Sequence, residues 1–258
     1  MYSEQFQASL ALVEAAREKN LAMEPARMTA EQKEQVLSAF HPDYREDQFE
    51  ALKIGPNAGD RVPHELAEML QAHSRITADS VDLTKPDYDC DVLIIGGGGA
   101  GTAAAIEAHR AGASVMIVTK LRMGDANTMM AEGGIQAADK PNDSPAIHFV
   151  DAFGGGHFAA KRDLLAKLVC DAPEAISWLS DLGVEFDKNE DGTMVTTHGG
   201  GTSRKRMHAA KDYSGAEIMR TLRDEVLNLG IPVIDFTSAI ELILDEKGNA
   251  AGAVLMNM

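Results

Sequence analysis

The stretch CDVLIIGGGGAGTAAAIEAHRAGASVMIVT, Cys90 to Thr119, constrains the fold more than any other part of the chain. Four apolar residues, Val92 to Ile95, run straight into glycines at Gly96, Gly98 and Gly101; an alanine-rich segment and a second apolar run, Ala113 to Thr119, follow. An unbroken apolar run suits a parallel strand covered on both faces, with strand neighbours on either side. The Gly-x-Gly-x-x-Gly spacing gives each glycine a task. Gly96 turns the chain off the strand, Gly98 lets a pyrophosphate approach the backbone, and Gly101 lets the next helix lie close to the strand. Gly97 and Gly99 fill two variable positions. The helix, Ala100 to Ala111, stops at Gly112, a residue suited to a left-handed cap, and points its free N–H groups and positive dipole end at the turn. This order specifies a βαβ unit that binds a dinucleotide, in an α/β, Rossmann-like fold. The turn alone does not say which dinucleotide. Thr119-Lys120 stands where an acidic residue would hold a ribose hydroxyl, which argues against a plain NAD enzyme.

Composition narrows the partners. The 258-residue chain carries a formal net charge of -16, which repels nucleic acid and anionic membrane surfaces. Cys90 and Cys170 are the only cysteines and lie far apart, so neither an iron–sulfur cluster, a cysteine zinc site nor a disulfide framework is expected within the chain. The first residues lack a basic region followed by an apolar core, and no stretch approaches the ~20 apolar residues of a spanning helix. A cytoplasmic location is the default expectation, without a direct membrane span.

Residues 1–87 have another texture. Phe6, Leu10, Leu12, Val13 and Ala16 recur at helical spacing, Thr29 is placed to cap a helix running to about Phe40, and a third helical pattern spans His64 to His73. The breaker-rich His41 to Tyr44 and Ile54 to Pro63 separate them. This reads as a helical amino-terminal arm without a second sheet or a core of its own; a partner-docking arm and a plain wrap-around extension are both open. The remaining residues, 88–258, form the cofactor domain.

After the second strand comes TKLRMGDANTMMAEGGIQAA, poor in charge and dense in small residues. Ala126, Ala131, Gly133 and Gly134 would let backbone amides approach a flat ring system. The pair GGGGAG and TK…NTMMAEGGIQAA resembles the flavoprotein subunits of the succinate dehydrogenase, fumarate reductase and L-aspartate oxidase family. From Tyr88 onward the resemblance implies an FAD-binding domain of parallel sheet plus antiparallel hairpin. It places Gly96, Gly98, Gly99, Ala100 and Gly101 at the phosphates, and Thr119, Lys120, Asn127, Thr128, Ala131, Glu132, Gly133 and Gly134 along FAD. Asn127 aligns with the histidine that joins flavin covalently in the respiratory members; asparagine cannot form that bond, so non-covalent FAD is expected. HAAKDYSG resembles an A-A-D-x-T-G element that brings Asp212 to FAD, although Lys211 replaces the usual alanine, and Ala239 aligns with a backbone contact to adenine.

Farther along, His148 and His157 lie nine apart without a carboxylate partner, so no metal is expected. Two helices are read, Asp163 to about Cys170 and Asp171 to Leu182, with Trp178 in the core. A hairpin is expected around Asn189 to Gly192. Arg204, Lys205 and Arg206 could neutralise phosphate or an acidic substrate, contact another subunit, or lie in a solvated loop. Ser214 to Glu217 reads as a capping box for a helix to Leu229, Ile231 to Phe236 as a third parallel strand, and Ile240 to Leu244 with Ala253 to Met256 as a hairpin. The resemblance further implies that the capping domain and the substrate-binding histidines and arginines lie beyond Met258, so no catalytic residue is assigned and some sheet and cofactor surface should stand open. The function expected is hydride transfer between FAD and a small dicarboxylate or related anionic substrate, in company with other subunits or a homo-oligomer, an iron–sulfur electron-transfer partner being one candidate. A non-catalytic flavin-domain fragment acting as an interaction module is the alternative.

Overall fold

A computed structural model describes residues 3–23, 26–41 and 44–258. Part of the breaker at His41 to Tyr44 therefore lies outside the described residues. The chain divides into two compact units, Met1–Arg75 and Ile76–Met258.

The first unit contains helices α1 (Glu4–Ala22) and α2 (Ala30–Phe40), short strands β1 (Phe49–Ala51) and β2 (Arg61–Pro63), and helix α3 (His64–Gln71). Thr29 caps α2 through a reciprocal box with Gln32, two orphan N–H groups being satisfied at once. The expectation of no further sheet is corrected: β1 and β2 pair antiparallel, the turn between them being made by residues 52–60, with Gly55 and Gly59. Neither α1 nor α2 buries a residue. Among the described residues of this unit only Leu52 and Ala67 are buried apolar side chains, too little for a core in the usual sense.

The second unit is built on a parallel sheet of β3 (Val92–Ile95), β4 (Val115–Val118) and β7 (Val233–Ile234), in the order β3-β4-β7. Helix α4 (Gly99–Arg110) makes the crossover from β3 to β4. β4, with a neighbour on each side, is buried throughout. β3 is not, contrary to the expectation of neighbours on both sides: among the described residues it pairs with β4 alone, and Ile95 is 51% exposed. Helices α5 (Pro145–Gly155), α6 (Arg162–Leu182) and α7 (Ser214–Asn228) complete the layer over the sheet, with Ile106 of α4, Ile176 and Leu179 of α6, and Ile218, Leu222 and Val226 of α7 in one core with Val115 and Ile117. Two-residue strands β5 (Ile135–Gln136) and β6 (Met207–His208) pair antiparallel, and β8 (Thr237–Leu244) and β9 (Ala250–Asn257) form the carboxyl-terminal hairpin.

Three local expectations change. Asp163 to Leu182 is one helix, not two: Val169, Ala172, Ile176 and Leu179 make a continuous buried stripe through Pro173. Burying that stripe outweighs the roughly 3 kcal/mol that an interior proline costs. The Ser214 to Glu217 box is not a cap: Ser214 Oγ instead accepts from Ala210 N, and the Glu217 carboxylate accepts from Glu185 N and pairs with Arg220. The hairpin around Asn189 to Gly192 is held by an isolated bridge, Lys188 to Met194, rather than by strands.

Candidate functional site

The glycine turn at the end of β3 is shaped as its spacing requires. Gly96 has φ +113, in the left-handed region that favours glycine. A Cβ on Gly101 would lie 2.1 Å from the Gly96 carbonyl oxygen, so α4 can meet β3 only through glycine. Thr102 Oγ1 donates to the Gly98 carbonyl at 2.8 Å and steadies the first turn of the helix.

The segment after β4 folds back over this turn. Thr119 is buried at the strand end, its N–H donating to Ile234 O and its carbonyl accepting from Thr237 N, both at 3.0 Å. Lys120 is exposed. Met123 N donates to Asp235 Oδ1 at 2.7 Å, which anchors the segment to the end of β7. A 3-10 turn, Asn127–Met130, follows. Thr128 Oγ1 accepts from Gly99 N at 3.2 Å, and Cβ atoms on Gly98 and Gly99 would come within 3.1 Å of Ala126 and Thr128. Gly98 and Gly99 thus admit this loop, and the Gly99 N–H is taken up by Thr128. Asn127 is exposed beside Thr128.

Ala131 to Gly134 is fastened from the other side by α7. Gly215 N donates to Ala131 O at 2.7 Å, and a Cβ on Gly215 would stand 1.9 Å from Thr128 O. Gly134 has φ +140, and a Cβ there would lie 2.3 Å from His208 O. Glu132 and Gly133 are exposed.

Of the residues read from the sequence, Gly99, Ala100, Thr128, Ala131 and Gly134 line one apolar cleft of about 340 Å³, together with Trp178, Ser214 and Gly215. A second cleft of about 700 Å³ shares Gly134, Ile135 and Ala175 with it and reaches His148, Asp151 and the loop Gly200 to Thr202. Lys120, Asn127, Asp212 and Ala239 line neither cleft. Asp212 is exposed, just after Lys211, which has φ +51 and donates its N–H to Asp187 Oδ2. Ala239 is half-buried within β8 opposite Leu255. Gly97, Gly215 and Asp235 were not singled out. For Gly215 a signal existed, since a glycine in the first turn of a helix costs stability without a packing reason.

The basic cluster resolves differently from all three readings given to Arg206. Its side chain is fully buried: Nε and Nη2 donate to Asp143 Oδ2 at 2.6 Å and Oδ1 at 2.9 Å, and Nη1 donates to Asp151 Oδ2 at 2.6 Å. Arg204 Nε donates to Asn142 O at 3.1 Å. Hydrogen bonding from Arg206 holds the Asp143 carboxyl below its usual range. Burial opposes ionisation of Asp151, but Ser203 N–H and the Arg206 guanidinium hold its carboxyl down at about 2. His148 is 4% exposed beside this group, with Nδ1 sealed and without a partner; burial first, then Arg206, lowers its basicity. Among the described residues no group of His, Cys, Asp and Glu could hold a metal, and no helix is long and apolar enough to cross a membrane.

The glycine turn, the α4 amino end and the small-residue cleft fit a dinucleotide with a flat ring. Comparison with known proteins agrees. The family described as FAD binding domain matches residues 91–258. The L-aspartate oxidase of Streptomyces coelicolor is 35% identical over 166 residues, 64% of this chain and 29% of that protein. The NADH:fumarate oxidoreductase of Klebsiella pneumoniae is 32% identical over 235 residues, 87% of this chain and 24% of that protein. Since residues 88–258 make up 171 of 258, that match extends into the arm, which the sequence reading had left outside the resemblance. The Mycobacterium smegmatis Sdh1 complex in the apo form is similar at TM-score 0.61 and 37% identity, over 64% of this chain and 30% of that one. The chain thus spans about a third or less of the length of these relatives.

Proposed function

Because this chain belongs to the FAD-binding flavoprotein family of fumarate reductase, succinate dehydrogenase and L-aspartate oxidase subunits, we propose that it is the FAD-holding portion of an oxidoreductase that moves a hydride between non-covalent FAD and a small anionic substrate. The observation that carries this reading is the cleft in which the α4 amino end, Thr128, Ala131 and Gly134 come together. FAD supplies the two-electron chemistry; the chain binds and orients it. Gly96, Gly98, Gly99, Ala100 and Gly101 would face the phosphates, where backbone N–H groups and the α4 dipole favour negative charge. Thr119 and Lys120 would meet the adenosine end, with Ala239 two residues along β8 from Thr237, whose N–H donates to the Thr119 carbonyl. Ala131, Glu132, Gly133 and Gly134 would lie along the ring, where the absence of bulky side chains lets backbone amides approach. Asp212 would approach from the α7 entry. Asn127 offers no nucleophile to the flavin, which supports non-covalent attachment.

A small dicarboxylate or related anion is the substrate class we propose, in keeping with relatives named for fumarate and L-aspartate. Assembly with other subunits is supported by similarity to the Sdh1 complex, and an iron–sulfur electron carrier is the partner we propose. Residues 88–258 are the cofactor portion and residues 1–87 its arm. The test is a visible spectrum of the purified protein before and after acid precipitation. Flavin released into the supernatant supports the reading; flavin retained in the pellet refutes the role given to Asn127; no flavin under saturating FAD refutes FAD binding by this chain and favours an interaction module.

A further inference from the structure

We propose that the buried ion cluster around Arg206 is a positioning device for the Ala131 to Gly134 loop, and through it for the flavin; the inference rests on the FAD reading above. The guanidinium is tied to both ends of one stretch of α5. Asp143 accepts from Ser144 N at 2.8 Å at the start of that helix, and Asp151, two turns on, also accepts from Ser203 N at 2.9 Å and Ser203 Oγ at 2.8 Å. The backbone of the same arginine faces the other way. Its carbonyl accepts from Ala137 N at 2.9 Å and lies 3.1 Å from His208 Nδ1. Immediately beyond, β6 pairs with β5, Ile135 opposite His208, and Gly134 fits against the His208 carbonyl with no room for a Cβ. An uninterrupted path of covalent and hydrogen bonds therefore runs from the ion cluster to Gly134.

Stability alone does not account for this cluster. A buried ion triad is often replaceable by apolar side chains at no loss, because desolvating the charges consumes most of the Coulombic gain. What apolar contacts do not supply is direction: the planar fork of Arg206, bidentate to Asp143, fixes the rotation of the chain as it enters β6. The residue fixed by that rotation, Gly134, is one that lines both clefts. Small displacements of a positioning element are costly at a cofactor, so rigid support behind the loop has a functional consequence that its surface position would not reveal.

The proposal is tested by titrating FAD into the wild-type protein, Arg206→Lys, Asp151→Asn and a control, Glu225→Gln, which breaks the Arg110 pair at the far end of α7. Flavin fluorescence gives affinity, and redox titration and visible circular dichroism report the bound flavin, all at a temperature where far-ultraviolet circular dichroism shows each variant folded. Arg206→Lys and Asp151→Asn are expected to bind FAD about tenfold more weakly and to shift the flavin potential and dichroism, while Glu225→Gln matches wild type. Asp151→Asn keeps the Arg206 to Asp143 bonds and decides the matter if Arg206→Lys does not fold. Wild-type affinity, potential and dichroism in folded Asp151→Asn would overturn the positioning role and leave the cluster a stabiliser. A wild-type protein that binds no FAD would overturn the FAD reading beneath it as well.

Discussion

Glycine and histidine carry most of the information at the level of single residues. A methyl group at position 215 would meet three backbone atoms of the Thr128 to Ala131 segment, the nearest at 1.9 Å, and backbone cannot swing aside as a flexible side chain can. Gly215→Ala is therefore expected to destabilise the protein by about 2 kcal/mol or more in urea unfolding and to weaken FAD binding, because the loop it displaces is the one that lines the cleft. His148 sets an acid limit. Burial and the neighbouring Arg206 lower its pKa in the folded protein, so the unfolded chain takes up a proton first as pH falls below the ordinary histidine value of about 6.5. Stability is full above that value and declines below it. Asp143 and Asp151 act in the same direction lower down: both carboxyls are depressed, so each gives stability that is present above about 4 and lost as pH falls through its folded value, which for Asp151 is about 2. Urea unfolding at pH 7.5 and 5.5 should show a loss in the wild type that is reduced in His148→Gln; an equal loss in both would place the acid sensitivity elsewhere.

At the scale of elements, tertiary burial overrules local preference in several places. α6 runs unbroken through Pro173, which brings no N–H for the Val169 carbonyl, because four buried side chains on one stripe hold it to the core. Pro173→Ala restores that donor and is expected to raise stability by about 1 kcal/mol or more, measured as a higher Tm; a lower Tm would show that the ring itself is a necessary packing element. α7 gives up its capping box to a local bond, Ser214 Oγ accepting from Ala210 N, and a tertiary one, Glu217 accepting from Glu185 N. α2 keeps its box, and with no buried residue it has little else to hold it. Thr29→Ala should accordingly lower helicity in the first unit, with a loss of about 1 kcal/mol of local stability seen as faster amide exchange in α2. α5 carries a legible sequence signal: Ser144 before Pro145 is an N-cap with proline at the first helical position.

For the whole molecule, the second unit contains the sheet, the glycine turn and both clefts, whereas the first buries Leu52 and Ala67 alone among its described apolar residues. A chain of residues 76–258 is expected to fold cooperatively and to bind FAD within about threefold of the longer chain, about 0.7 kcal/mol; a larger loss would give the arm a part in the cofactor site. Trp178 serves as the reporter, since it lines the smaller cleft and its indole N–H donates to Glu107.

The amino-acid order by itself determined the βαβ unit, the dinucleotide turn and, through Thr119-Lys120 and the loop to Gly134, the flavoprotein family. The first two depend on periodicity and on glycine geometry within about thirty contiguous residues, where sequence neighbours are also spatial neighbours; the family rests on the resemblance carried by GGGGAG and TK…NTMMAEGGIQAA. Only the tertiary structure decided that β3 has a single strand partner, that Pro173 sits inside a continuous helix, and that Arg206 is buried between Asp143 and Asp151 instead of facing solvent or a ligand. The last of these rests on residues 55 and 63 positions apart meeting in space. A charged side chain declares in sequence that it needs a partner, but not whether water, a ligand or a distant carboxylate will supply it.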